Sequence, residues 1–248
     1  MVSSSRLLSG KTAVITGCNR GIGKAILDNY ATNGATIFAC VRKEEKEFSN
    51  HIRILSEKNA VNIIPIYFDA RNKEEMKQGV KKIKDSKKQI DILVNNSGIG
   101  HNAHFMMSSL ESLKEVFDVN FIAPFLFTQY IAKIMVRQKF GNIINISSTA
   151  ALDASEGKSI YGASKAALIC ITKIMASELK AFGIRANSIA PGLTDTDMLS
   201  FLPKEFIVNS REQKEIIQPS EIADTALFLA SDASAQITGQ VIRVEGGK

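Results

Sequence analysis

Tyr161 and Lys165 stand four residues apart, and Ser148 lies thirteen residues before the tyrosine. On a helix, positions i and i+4 share a face, so phenol and ammonium would lie side by side. A cation beside a phenol favours the phenolate and lowers its pKa toward working pH. Such a phenol can donate or accept a proton. A surface helix with a tyrosine near a lysine would look the same, so the surrounding chain has to decide.

A second group of residues suits an anion. "TGCNRGIG", from Thr16 to Gly23, places Gly17, Gly21 and Gly23 between a strand-like run and a helical one. Gly17 would permit a tight turn, Gly21 would let the backbone approach a pyrophosphate, and Gly23 would let the helix pack closely. The helix start would offer free N–H groups and a partial positive charge. The spacing is G-x-x-x-G-x-G, yet the strand–turn–helix context predicts a bound dinucleotide. A carboxylate ending the second strand would bind the ribose hydroxyls of NAD. Here Arg42 and Lys43 stand at that place, with Arg20 in the loop and Glu44 and Glu45 just beyond. Guanidinium groups pair with phosphate through a planar fork, so the 2′-phosphate of NADP is expected over NAD.

The elements that must hold these groups alternate. Strand-like runs at Lys11–Gly17, Ala35–Val41, Val61–Asp69, Ile90–Gly98, Gly141–Ser148, Ile184–Gly192 and Gly239–Gly247 are separated by helical ones. A long helix is expected from about Ser109 to Gln138, and another over Ile160–Phe182. Several strands are apolar on both faces, as buried parallel strands are. The pattern predicts an α/β fold: a single doubly wound Rossmann domain over residues 1–248, with a seven-stranded parallel sheet and helices on both faces.

Composition narrows the function. With 248 residues, 45% hydrophobic and 23% charged, the chain reads as an ordinary globular protein. Its net charge of +6 is scattered, and its densest basic stretch, Lys81–Lys88, reads as the solvated end of a helix. No nucleic-acid partner is expected. Cys18, Cys40 and Cys170 show no pairing pattern and suit a reduced compartment. His101 and His104 have no Cys or acidic partner nearby in sequence, so no metal is expected. No stretch reads as a membrane span of ~20 apolar residues. The start "MVSSSRLLSGK" lacks a signal-peptide core. No membrane partner and a cytoplasmic location are expected.

"TGCNRGIG", "FD" closing the third strand, "NNSG", "VN" at Val119–Asn120, "INISS", Y-x-x-x-K, "NSIAPG" and "ITGQVIRVEGG" follow one another in a familiar order. From about Lys11 to Gly247 the chain resembles the short-chain dehydrogenases/reductases, most of all the bacterial 3-oxoacyl-[acyl-carrier-protein] reductases of fatty acid biosynthesis. The resemblance implies an NADPH-dependent reduction of a ketone to a secondary alcohol. It implies that Tyr161 is the acid, Ser148 polarises the carbonyl, and Lys165 lowers the phenol pKa and binds the nicotinamide ribose. Asn120 would hold a water that relays protons to Lys165. Asp69 and Ala70 would flank the adenine, and Asn96 would pack by the adenosine ribose and brace the central strands. Ile189, Pro191, Gly192 and Thr194 would line the nicotinamide, with Asn19, Ile22 and Gly98 completing the cofactor set. Ser147 is one residue out of step with the strand alternation and should point away.

Two departures stand out. Ser97 replaces the alanine of the commoner "NNAG". The stretch from Leu199 to Ala223, which shapes the substrate pocket, lacks the Pro-x-Gly-Arg-type segment usual in carrier-protein reductases. A keto-sugar or another small polar ketone is therefore the alternative substrate, and a non-catalytic dinucleotide-binding regulator is the alternative of another class. By the resemblance, "IGHNAHFMMS", Ile99–Ser108, would line the pocket entrance, with Phe105, Met106 and Met107 supplying either an apolar mouth or core packing. Apolar residues in excess of one buried face on the two long helices predict a homo-oligomer, a tetramer by the resemblance.

Overall fold

The computed structural model describes residues 6–202 and 204–246. Gly247, the last residue of the seventh expected strand, lies outside them, as do residues 1–5 of the N-terminal stretch. Seven strands form one sheet: β1 (Thr12–Thr16), β2 (Thr36–Val41), β3 (Ile63–Tyr67), β4 (Ile92–Asn95), β5 (Gly141–Ile146), β6 (Ile184–Pro191) and β7 (Val241–Val244). Their order is β3-β2-β1-β4-β5-β6-β7, and every pairing is parallel. The strand order reverses between β1 and β4, and the crevice beyond their carboxyl ends is where an open α/β sheet binds ligands.

Successive strand residues feed opposite layers. Ala13 and Ile15 join Leu27, Tyr30, Ile222 and Leu229 in one core, while Val14 joins Phe38, Phe127, Ile131 and Met135 in the other. The first layer is built by α1 (Gly21–Thr32), α2 (Lys46–Asn59) and α8 (Pro219–Ala230). The second is built by α3 (Lys73–Asp85), α5 (Ala123–Gln138) and α6 (Ser159–Leu179), with α4 (Leu110–Phe117) leading into α5. Burial of both faces explains why the strands lack polar alternation.

The expected long helix over 109–138 is interrupted. Between α4 and α5, Asp118–Ile122 is π-helical, and the Ala123 N–H reaches back to the Asp118 carbonyl. Pro124 follows, and it has no N–H to give to the Asn120 carbonyl one turn earlier. A single added residue per turn is typical of π-bulges, which gather at functional sites. A further helix, α7 (Lys204–Glu212), occupies the stretch that sequence left unassigned.

The reading that no stretch could span a membrane needs correction by length and composition alone. Leu110–Gln138 and Ser159–Phe182 are both apolar enough and long enough. Each instead buries one side against the sheet, through residues such as Phe127, Ile131, Leu168 and Thr172.

A chain of buried polar groups crosses the second layer. Asn95 on β4 donates to Thr128 Oγ1 on α5 at 2.7 Å and to Asn145 Oδ1 on β5 at 2.8 Å. Asn145 in turn donates to Thr172 Oγ1 on α6 at 2.7 Å.

Candidate active site

The carboxyl end of β5 carries both serines in question, and the strand separates them. Ser147 is buried, donates to the Ile189 carbonyl at 2.8 Å and accepts from Ser188 at 2.9 Å. Ser148, the next residue, turns the other way, is half-buried, and starts a short 3-10 turn by accepting from the Ala150 N–H at 3.2 Å. It faces the Tyr161 phenol on the first turn of α6. Ser148 and Tyr161 therefore converge as expected.

Lys165 departs from expectation. Its ammonium donates to the Ile146 carbonyl at 2.9 Å and lies 5.9 Å from the centre of the Tyr161 ring. Burial raises the Tyr161 pKa, and Ser148, not Lys165, is the neighbour that pulls it back down. Burial also lowers the Lys165 pKa to about 8. The ammonium points at a backbone dipole rather than at the phenol oxygen, so its help to the phenolate is indirect.

Asn120 is wholly buried in the π-helical segment. Its side chain accepts from the Ile99 N–H at 2.8 Å and donates to the Ile99 carbonyl at 3.0 Å and to Ser164 at 3.2 Å. It ties the loop after β4 to α6, one residue before Lys165. A Cβ on Gly98 would come within 3.3 Å of both Asn120 Oδ1 and Lys165 Nζ, so the glycine keeps this junction open.

The glycine loop is braced from β4. Asn96 donates its side-chain amide to the Thr16 and Gly17 carbonyls at 3.2 and 2.9 Å. Thr16 Oγ1 accepts from the N–H groups of Asn96 and Ser97. Asn96 thus braces the strands; its packing by a ribose remains a proposal. Gly17 and Gly21 have φ of +65° and +54°, the left-handed region that favours glycine. A Cβ on Gly23 would fall on the Gly17 carbonyl, so the close packing here is helix against loop rather than helix against sheet. No side chain caps α1 and no acidic residue sits in its first turn. Half-buried Asn19 and Ile22 flank this opening. Uncapped amides beneath left-handed glycines fit a pyrophosphate.

At the ends of β2 and β3, Arg42 is exposed and makes none of the ion pairs seen among the described residues. Asp69 takes a two-pronged pair from Arg71, at 2.8 and 3.2 Å, which holds its carboxyl below the usual range, with Arg42 adding to the effect. Ala70 packs against the second core. Arg71 went unread in the sequence, where an arginine two residues after an aspartate carries no distinctive spacing.

The loop after β6 completes the cleft. Pro191 and Thr194 are buried, and Thr194 donates to the Gly192 carbonyl at 3.0 Å. Ile189 lies in the first core, its carbonyl held by Ser147. Thr194 also bridges to Ile217, and Arg211 on α7 holds Asp195 at 2.8 Å. Two further residues of this loop were missed in the sequence. Asp197 accepts from Arg20 at 3.2 Å, and Met198 Sδ lies 4.0 Å from the Tyr161 hydroxyl. Both contacts span long sequence separations, so no local pattern could have shown them. Phe105, Met106 and Met107 are 76–81% exposed, which rejects core packing for that segment. Among the described residues, no three His, Cys, Asp or Glu side chains gather as metal ligands would.

The family model described as Enoyl-(Acyl carrier protein) reductase matches residues 17–248. A 3-oxoacyl-[acyl-carrier-protein] reductase of Synechocystis sp. is 36% identical, with 97% of each chain covered. A 3alpha-hydroxysteroid dehydrogenase of Mediterraneibacter gnavus is 32% identical, again over 97% of each. A solved structure from Beutenbergia cavernae, described as an NAD(P)-dependent gluconate 5-dehydrogenase with NADP at low occupancy, superposes with a TM-score of 0.86 at 27% identity, over 97% of both chains. With its parallel sheet, glycine loop and Ser148–Tyr161–Lys165 cluster, the chain belongs to the short-chain dehydrogenase/reductase family, oxidoreductases acting on CH–OH and C=O groups.

Proposed function

We propose that the chain is an NADPH-dependent reductase of a ketone, with a 3-oxoacyl thioester carried by an acyl carrier protein as its substrate. The observation that carries the reading is the convergence of Ser148 and Tyr161 at the carboxyl ends of β5 and α6's first turn, beside a cradle that suits a dinucleotide. Bound there, the cofactor supplies the hydride; the protein orients and polarises. Gly17, Asn19, Gly21, Ile22 and Gly23 would hold the pyrophosphate, Arg20 and Arg42 the 2′-phosphate, and Asp69, Ala70 and Asn96 the adenosine. Gly98, Pro191, Gly192 and Thr194 would line the nicotinamide.

Ser148 donates to the ketone oxygen, and Tyr161 gives that oxygen its proton. Burial keeps the phenol protonated, as an acid must be before transfer. Lys165 would hold the cofactor's ribose hydroxyls, and its ammonium would be the source of the proton that restores the phenol. Its own proton would come through a water at the Asn120 carbonyl, to which Pro124 gives no i+4 N–H. Asn120's side chain does the bracing, its backbone the relay.

The exposed trio Phe105, Met106 and Met107 favours an acyl chain over a keto-sugar. The reading carries a cytoplasmic location and a homotetramer with it. NADPH consumption with acetoacetyl thioester, compared with a panel of keto-sugars and small ketones, tests it. The thioester is expected to turn over at least tenfold faster; a keto-sugar that outpaced it would transfer the assignment.

A further inference from the structure

Arg20, in the phosphate loop, does not stand free. It pairs with Asp197 at 3.2 Å, and the two side chains are about three-quarters exposed. Asp197 begins a single 3-10 turn, Asp197–Phe201. The Leu199 N–H donates to the Thr196 carbonyl at 3.0 Å, and Ser200 Oγ donates to the Asp197 carbonyl at 2.7 Å. These bonds tie Asp197 and Met198 into one turn. Its next residue, Met198, sets Sδ 4.0 Å from the Tyr161 hydroxyl, the place a ketone oxygen must take to receive its proton. Thr196 sits against the other end of the loop, where a Cβ on Gly21 would meet its methyl at 3.2 Å.

We propose that Asp197 and Met198 are positioning residues that make Tyr161 respond to the cofactor's 2′-phosphate. This rests on the NADP reading given above. An exposed ion pair is weak and screened. A phosphate dianion offers Arg20 a stronger, forked contact. It takes the guanidinium from Asp197, frees the turn and lets Met198 leave the phenol. NAD has no such phosphate, so Arg20 stays on Asp197 and Met198 stays over Tyr161. The enzyme would then discriminate between the cofactors through access to its acid as well as through affinity.

Hydrogen exchange of the Thr196–Leu202 amides in the full chain tests this. Adenosine 2′,5′-bisphosphate is the probe, 5′-AMP the control, and calorimetry on the same samples reports binding. The bisphosphate should raise exchange at least threefold and AMP should not. Asp197→Asn should exchange that fast without nucleotide and fail to respond. In steady state, Met198→Ala should lower the ketone KM with NADH at least threefold, with kcat and NADH affinity little changed. Wild-type exchange in Asp197→Asn overturns the coupling, as does bisphosphate that binds without raising exchange. Bisphosphate that binds no better than AMP removes the NADP reading and the coupling with it.

Discussion

Lys165 gives its ammonium to the Ile146 carbonyl at 2.9 Å, at the edge of the β5 strand that also delivers Ser148. One strand end therefore fixes both the Ser148 hydroxyl and the cation. The cation is desolvated, with a pKa near 8 against 10.5 in water. Between those values the unfolded chain binds the proton more than the folded one. Stability from this group is thus lowest below about pH 8 and rises toward pH 10.5, by up to about 3 kcal/mol. Urea unfolding of wild type and Lys165→Met from pH 7 to 10.5 should show the difference moving in the wild type's favour. A difference that stays flat with pH would mean the ammonium is solvated.

Tyr161→Phe keeps the ring and removes the hydroxyl. Ketone reduction should fall by ~10²–10⁴, the usual contribution of a positioned acid. NADPH affinity should stay within a few fold. Turnover above about a third of wild type would show that another group delivers the proton.

Arg42 makes no ion pair among the described residues, so its guanidinium is available to a 2′-phosphate. A charge-assisted contact contributes roughly 1.5–3 kcal/mol, or ~10- to 150-fold in affinity. Arg42→Asp should weaken NADPH by at least that and leave NADH unchanged or tighter, because a carboxylate can accept from free ribose hydroxyls. Arg20→Ala should move the same way by less. Titration of both cofactors against the three proteins decides it, and equal losses for NADH and NADPH would assign the arginines to loop structure.

Gly23→Ala tests the loop itself. The new methyl would meet the Gly17 carbonyl and the Asn96 amide, neither of which can swing aside. Overpacking of this kind costs ~1–3 kcal/mol. Thermal unfolding should drop by ~2–4 °C for each kcal/mol, with cofactor binding lost. An unchanged Tm would mean the loop yields freely.

Leu110, Leu113, Ile122 and Ile174 remain exposed on the long helices. Apolar surface of that extent is normally covered. Light scattering at micromolar concentration should report a multiple of the 27.1 kDa chain mass; a single-chain mass would refute the oligomer.

The topology was legible because both signals behind it are local. Strand residues apolar on both faces predicted a buried parallel sheet, and glycines between a strand and a helix predicted the loop. Ser148 was separable from Ser147 because alternation in a strand is strict. The π-helical break at Asn120 was not legible, since the apolar periodicity carries on through it. Pro124 was its one trace in the sequence. Helix α7 was missed because its apolar residues, Phe206, Ile207 and Val208, are consecutive and mark no helical stripe. The partners of Arg20 and Tyr161 were hidden by distance along the chain, 177 and 37 residues respectively.

The polar chain from Thr128 through Asn95 and Asn145 to Thr172 has a consequence for how the molecule is made. Apolar contacts between β4 and β5 are forgiving: isoleucine and valine would satisfy one another in several alignments. The two carboxamides would not. A slip of either strand would leave an amide unpaired in the interior, at ~1–3 kcal/mol for each lost partner against a domain's net ~5–15 kcal/mol. The chain therefore penalises misaligned pairings of the very strands whose ends carry Asn96 and Ser148. The alignment of the candidate site thus depends on buried amides set back from it along the same strands.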